Sequence, residues 1–529
     1  MKLSLAFGRG AMPGARAAGT RQGSLAALIL LFLGIAAIAL LLGAVIGLGS
    51  PVLVIILAGA VFGIMGFLLL DSYRMLVIVF VLTFIVQGSV ASFFGNRQAA
   101  WVVIGLAVLF ILRAVLDRQF AKRREEPGVK TFADTAALVA LTGYAMIFAA
   151  STIYNRPGVA QLVVAVKSAW PMIGVLLALV WFRWSIERQK TLWQILLGVA
   201  MLQLPVVAYQ HFVVAKSRLA TSHDAVVGTF GGSMGGGGNS ALLVLFMIGL
   251  MCYVLARWDR GLMSGKRVIL FSIVSIVVIL LGEVKAAFVW MPIAFCFVLR
   301  RRMMRNLFAF IGYSTLIVVV AGAIWSTYSA LYWSKDITNQ STVTGALEAS
   351  GGYFFDPNEI NHKTGEVGRA AAVALWVDDK AATVGSRLIG YGPGAVKGGP
   401  GLGSGKLAAR FAPLHVDPTT LATLLWDVGV LGTITYIGLF VFVLMAGSRR
   451  LRQRDGSPEA AAMVEAAQAI LILITSLIIY NRTLMDDPAT QLLFVFAAGT
   501  VLQAARFSST SSKPKVHPAV ARAQIAGAA

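Results

Sequence analysis

LFAFIGYSTLIVVVAGAIWSTYSA, residues 307–330, holds no Asp, Glu, Lys, Arg or His. As a helix rising 1.5 Å per residue it would be about 36 Å long, enough to cross the roughly 30 Å hydrocarbon core of a bilayer. On its N-terminal side it is stopped by Arg300-Arg301-Arg302 and Arg305. An uncharged run of this length is too long for a buried strand and reads as a membrane span.

The rest of the chain has the same character. Of its 529 residues 58% are apolar and 13% charged, with a mean hydropathy of +0.80. A soluble domain carries about 25% charged residues, so the composition argues against a soluble enzyme. Intrinsic disorder, which needs low hydrophobicity, and a disulfide scaffold, since there are two cysteines, are excluded. Working outward from 307–330 gives fourteen apolar segments: 25–49, 52–70, 75–94, 99–116, 133–153, 160–182, 191–210, 239–256, 268–282, 285–299, 307–330, 419–446, 460–480 and 490–505. The expected fold class is an all-α polytopic membrane protein with about 14 transmembrane helices and one large outer loop. Residues 1–210 and 211–330 form two successive sets of membrane helices, 331–418 the loop, 419–505 the last membrane helices and 506–529 a polar tail. The ninth and tenth segments are nearly fused and form a tight hairpin around Gly282-Glu283-Val284-Lys285. The first is too long for the core of a cleavable signal peptide.

The formal net charge is +22. Placing the N-terminus in the cytoplasm and alternating the spans puts 30 of the 45 Lys and Arg inside and 14 outside, eight of these in the long loop; Lys167 falls within a span. That asymmetry is the positive-inside rule, so no nucleic-acid partner is needed to account for the charge. Both termini are expected in the cytoplasm.

Two outer segments are long enough for chemistry. Residues 211–238 include His211, Lys216, Arg218, His223 and Asp224. Residues 331–418 include Tyr353-Phe354-Phe355, an Ala-rich helical stretch and a Gly-rich stretch. Gly399-Pro400-Gly401-Leu402-Gly403-Ser404-Gly405-Lys406 imitates a phosphate-binding loop, but Pro400 and Leu407 occupy positions that need Gly and Ser or Thr. Five dispersed histidines and no Cys-x-x-Cys offer no metal site. Lys167 sits about 10 Å inside its span, and Pro171, four residues on, is placed to kink the helix and free a carbonyl. An ionisable residue at that depth is a candidate functional group, with snorkelling to the interface as the alternative. Glu283 and Lys285 cap the tight hairpin, either as interfacial anchors or with Lys285 over an outer cavity.

Three motifs carry a resemblance. Val226-Val227-Gly228-Thr229-Phe230, followed by Asn239-Ser240-Ala241-Leu242-Leu243, precedes a span. Leu388-Ile389-Gly390-Tyr391-Gly392-Pro393-Gly394 lies in the long loop. His415 is followed by Leu421 to Gly429 and Gly432, which run into the next span. In this order, over about residues 210–446, they resemble the O-antigen ligase and polysaccharide polymerase superfamily, and the chain looks like a remote member. Departures are plain. Val416 replaces the Asn that follows the family's His, Asp427 is the acid before Gly-x-x-Gly, and Glu283-Val284-Lys285 stands where the family carries a Ser-Arg-Gly turn.

The resemblance implies a GT-C-like fold in a bacterial inner membrane and a polyprenyl-diphosphate-linked glycan donor in its outer leaflet. The partners implied are that donor, a glycan acceptor, the lipid bilayer and other polysaccharide assembly proteins; no cofactor is implied. Departure of the lipid diphosphate builds negative charge, and fixed cations would stabilise it. Arg218 and Lys285, with Lys167 deeper, are the candidates, and His223 is an alternative to Arg218. His415 is the candidate general base, with Asp417 its rival; Arg387 and Glu283 join the substrate-binding candidates. A polymerase of repeat units is favoured over a ligase onto lipid A-core or a protein glycosyltransferase. From another class, a transporter or flippase would call for internal repeats and midplane charges.

Overall fold

The computed structural model describes residues 59, 61, 63–66, 69–96, 99–120, 132–182, 184–214, 226–231, 239–332, 351–399, 403–452 and 457–503. The chain forms two compact units, 1–65 and 66–529. In the first, the few described residues are helical. The expected segments 25–49 and most of 52–70, and the tail 506–529, lie outside the described residues, as do Arg218 and His223.

In the second unit the chain runs through α1 (Ser72–Phe94), α2 (Ala99–Phe120), α3 (Phe132–Asn155), α4 (Val159–Ala169), α5 (Ile173–Trp181) and α6 (Ile186–Val214). There follow α7 (Ser240–Asp259), α8 (Gly265–Leu281), α9 (Ala287–Met303) and α10 (Leu307–Tyr332). After a segment of short elements come α14 (Thr420–Arg452), α15 (Pro458–Tyr480), the short α16 (Thr483–Asp486) and α17 (Pro488–Gln503). Of the twelve apolar segments from 75 onward, eleven fall each on one helix over their described residues, and 160–182 falls on the bent pair α4–α5. Among the described residues eight helices are long and apolar enough to cross a membrane, and the bent pair α4–α5 makes a ninth; α8, α9 and α17 are shorter. This is an all-α polytopic membrane protein.

Local chemistry sets the helix ends. Ser185 and Ser457 cap α6 and α15 by accepting the backbone N–H groups of Arg188 and Ala460, and Pro458 opens α15 where no intrahelical donor is needed. Inside the bundle the helices sort by exposure. α7 and α15 are mostly buried, whereas the uncharged stretch of α10 has nearly its whole surface outside, with Phe308 86% exposed. A helix apolar all round must be in a core or in lipid, and α10 takes the second course.

The bent pair behaves as Pro171 dictates. α4 and α5 meet at 46° across Trp170–Met172, and in the last turn of α4 before this break the Ser168 carbonyl accepts a 2.6 Å hydrogen bond from Gln491 Nε2 of α17.

Residues 351–418 are built from a helical turn at 351–355, the ribbon β1 (Ile360–Asn361)–β2 (Glu366–Val367), α11 (Arg369–Val377), α12 (Val384–Ile389), the ribbon β3 (Gly398–Gly399)–β4 (Gly403–Ser404) and α13 (Lys406–Arg410). Ala371, Ala372, Val396 and Leu407 form a separate small core with Trp426 of α14.

Candidate functional site

α14 is interrupted at Gly429 (φ 68°, ψ −168°), which leaves the carbonyls of Trp426 and Asp427 without helical partners. The Gly390–Gly394 turn supplies them. Tyr391 N–H donates to the Trp426 carbonyl at 2.8 Å and Gly392 N–H to the Asp427 carbonyl at 3.2 Å, while Gly394 N–H reaches the Asp427 carboxylate at 2.9 Å. The contact requires glycine on both sides. A Cβ on Gly390 would lie 2.3 Å from the Asp427 carbonyl, and one on Gly429 2.5 Å from Gly390 N. Two of the three motifs that carry the family resemblance therefore grip one another. The third is also tied in: Gln210 and Gln203 hold the backbone of Val227, Gly228 and Thr229 through hydrogen bonds of 2.8–3.0 Å.

Beside this joint lies an open cavity of about 410 Å³, lined by α4, the β3–β4 ribbon, residues 412–417 and the α15–α17 linker. Pockets that hold small ligands run from about 300 to 1,000 Å³. Its charged lining residues are Lys167, Lys397, Asp417, Arg482 and Asp486, with His415 exposed at the rim. Four of them form a closed square. Lys397 Nζ lies 2.7 Å from Asp486 and 3.3 Å from Asp417; Arg482 lies 3.0 Å from Asp417 and 2.7 Å from Asp486. Lys167 adds a third cation, 4.8 Å over the Trp101 ring. With His415 neutral, three cations face two carboxylates.

Electrostatics favours the charged forms of Lys397 and Asp486. Burial works against the Lys397 ammonium, but Asp486 and Asp417 outweigh it and raise its pKa. Burial likewise opposes ionisation of Asp486, but Lys397 and Arg482 overcome it and lower its pKa. The neighbouring Asp487 behaves oppositely. It caps α17 by accepting Thr490 N–H at 2.6 Å and takes a 2.8 Å hydrogen bond from Asn239. Burial without a cation pushes its pKa up to about 6 despite these bonds. Among the described residues no group of three or more His, Cys, Asp or Glu is arranged to hold a metal ion.

Of the residues singled out in the sequence, His415, Asp417 and Lys167 come together at this cavity. Lys285 does not line it; it is exposed on the α8–α9 hairpin, beside Glu283, whose carboxylate lies 3.4 Å from His211 Nδ1. Arg387 closes its own loop, donating to the carbonyls of Trp376, Val377 (2.8 Å) and Asp379 (3.2 Å) while lying 4.5 Å over the Trp376 ring. Lys397, Arg482 and Asp486 escape sequence reasoning. Their signals are faint but present: Lys397 follows the Gly-Pro-Gly turn by three residues, and Arg482 and Asp486 stand four apart in a nine-residue linker between apolar segments.

The fold and the cavity define a class, a polytopic helical membrane protein with a charged cavity bordered by the segment 351–418. No protein-family model matches the chain, and no curated protein matches it.

Proposed function

We propose that the protein is a membrane glycosyltransferase that moves a glycan from a polyprenyl diphosphate onto a glycan acceptor, polymerising O-antigen or exopolysaccharide repeat units. What supports this reading is one juxtaposition: His415, the basic residue of the third motif, shares a head-group-sized cavity with Lys167, Lys397 and Arg482. In this reading there are fourteen spans with both termini cytoplasmic, and the cavity opens at the outer leaflet of a bacterial inner membrane. Sugars must arrive there already activated.

The acceptor hydroxyl attacks the anomeric carbon and gives its proton to His415. The bond from that carbon to the phosphate oxygen breaks, and lipid diphosphate leaves with the electron pair. Negative charge grows on the departing oxygen, where Lys167, Lys397 and Arg482 stabilise it; guanidinium suits a phosphate particularly well because it binds bidentately. His415 is better suited as the base than Asp417, whose carboxylate is engaged by Lys397 and Arg482.

The test is transfer of a labelled lipid-linked glycan by the purified full-length protein in nanodiscs. His415→Ala is expected to lower turnover at least about a hundredfold, and His415→Gln is expected not to rescue it, because an amide cannot take the proton. Near-wild-type rates for His415→Gln would remove His415 as the base. No transfer by the wild type from any lipid-diphosphate donor would remove the reading itself.

A further inference from the structure

The acids of the square differ in how firmly they are held. Asp417 is 4% exposed, precedes Pro418 and sits at the base of α14, whereas Asp486 is 33% exposed and ends the four-residue α16. Both contact the same two cations. A diphosphate diester carries two negative charges, and the cavity's fixed residues sum to one positive charge with both carboxylates ionised. If both acids stayed on Lys397 and Arg482, an arriving diphosphate would meet cations whose charge is already matched, with one N–H left on Lys397 and three on Arg482.

We propose that Asp486 is a resident counter-ion that the phosphate groups of the ligand displace from Lys397 and Arg482, while Asp417 stays and holds those two cations in position. The inference rests on the glycosyltransferase reading and adds a mechanism of recognition to it. Asp486 pairs Lys397, 15% exposed, and Arg482, 45% exposed, before the ligand arrives, and Lys397, the more buried of the two, would be the costlier to leave unpaired. It also sets selectivity. A monoanion gains little by exchanging for a carboxylate of the same charge, whereas a diphosphate brings two charges and more acceptor oxygens than the carboxylate it replaces.

The proposal assigns opposite signs to two chemically identical substitutions. Asp486→Asn removes the competitor, so inorganic diphosphate should bind about tenfold more tightly, the worth of one charge-assisted contact. Asp417→Asn loosens Lys397 and Arg482, so binding should weaken by a similar factor. Asp378→Asn, an exposed acid outside the cavity, controls for the general gain of positive charge. The measurement is calorimetric titration of inorganic diphosphate into the full-length protein in nanodiscs, with inorganic phosphate as the comparison anion. Displacement is overturned if wild type binds diphosphate and Asp486→Asn binds it no better than Asp378→Asn, or if both cavity variants shift affinity in the same direction. If wild type and Lys397→Met bind diphosphate equally, the anion is held elsewhere, and the glycosyltransferase reading of this cavity falls with the proposal. Retained elution and melting behaviour of each variant shows that the bundle is intact.

Discussion

At one end of α15, Glu465 is fully buried between Arg260 (2.6 Å) and Arg300 (2.8 Å), and Glu459 pairs with Arg257 at 3.1 Å. Glu465 lies fifteen residues before Tyr480, about 22 Å along the helix. Just past Tyr480, Asp417, Lys397, Arg482 and Asp486 make an equally dense set of ion pairs. The groups are the same in kind and their settings are not. Around Glu465 the pairs are packed between α7, α9 and α15 and join segments far apart in sequence. Around Asp417 they border a 410 Å³ cavity, leave Arg482 and Asp486 partly exposed, and stand beside a further cation, Lys167. Ion pairs alone do not make a site. A site needs space beside them and a charge balance that a ligand can complete.

Substitutions can break this contrast. The largest effect is expected from Glu465→Ala, which would leave two arginines facing each other without their counter-ion; removing one partner of a buried pair costs about 3–5 kcal/mol. The yield of monodisperse protein should collapse. A variant that folds normally and loses only glycan transfer would place catalysis at this end instead. Lys397→Met should do the reverse, lowering transfer about a hundredfold while the protein remains folded by size-exclusion chromatography and circular dichroism.

Gly429→Ala probes the joint between the Gly390–Gly394 turn and α14. A side chain there must adopt a positive φ and meets the backbone of Leu388 and Gly390. Strain of that kind costs about 1–3 kcal/mol, so a lower melting temperature is expected together with weaker transfer. Unchanged values of both would show that the turn does not position the cavity.

The smallest effect concerns the adjacent acids. Asp487 has a raised folded-state pKa of about 6, against about 3.9 for an unfolded aspartate. The folded state therefore holds the proton more tightly. Its stabilising contribution is complete below about pH 4 and is lost as pH rises through about 6. Asp486, with a lowered pKa, contributes above the unfolded value and loses that contribution only in stronger acid. Between pH 4 and 7 the melting temperature should therefore carry a decline of about two degrees that Asp487→Asn abolishes. A profile unaltered by that substitution would show that Asp487 does not titrate in this range.

Much of the organisation was legible in the residues. Runs without charge, such as 307–330, have no stable alternative to a helix in lipid or in a core, because each backbone polar group must be satisfied within its own segment. Pro171 announced its bend, because proline removes a backbone donor. Lys167 could be named as a charge standing inside an apolar span, and His415 and Asp417 through the motif that resembles the ligase and polymerase superfamily. Lys397 and Asp486 could not be paired in this way. They are 89 positions apart, and nothing local distinguishes a lysine bound for a cavity from one bound for solvent.

What the sequence determined by itself is the set of helices and the residues with chemistry to offer, because hydrophobicity, proline and charge act over a few turns of chain. What only the tertiary structure decided is which of those residues share a space. The Gly390–Gly394 turn had to find the two carbonyls exposed by the break at Gly429, and that docking brings Lys397 over Asp486 and His415 to the rim. Such contacts depend on backbone hydrogen bonds between segments about 35 residues apart and on the absence of two Cβ atoms. Neither leaves a periodic trace in the chain.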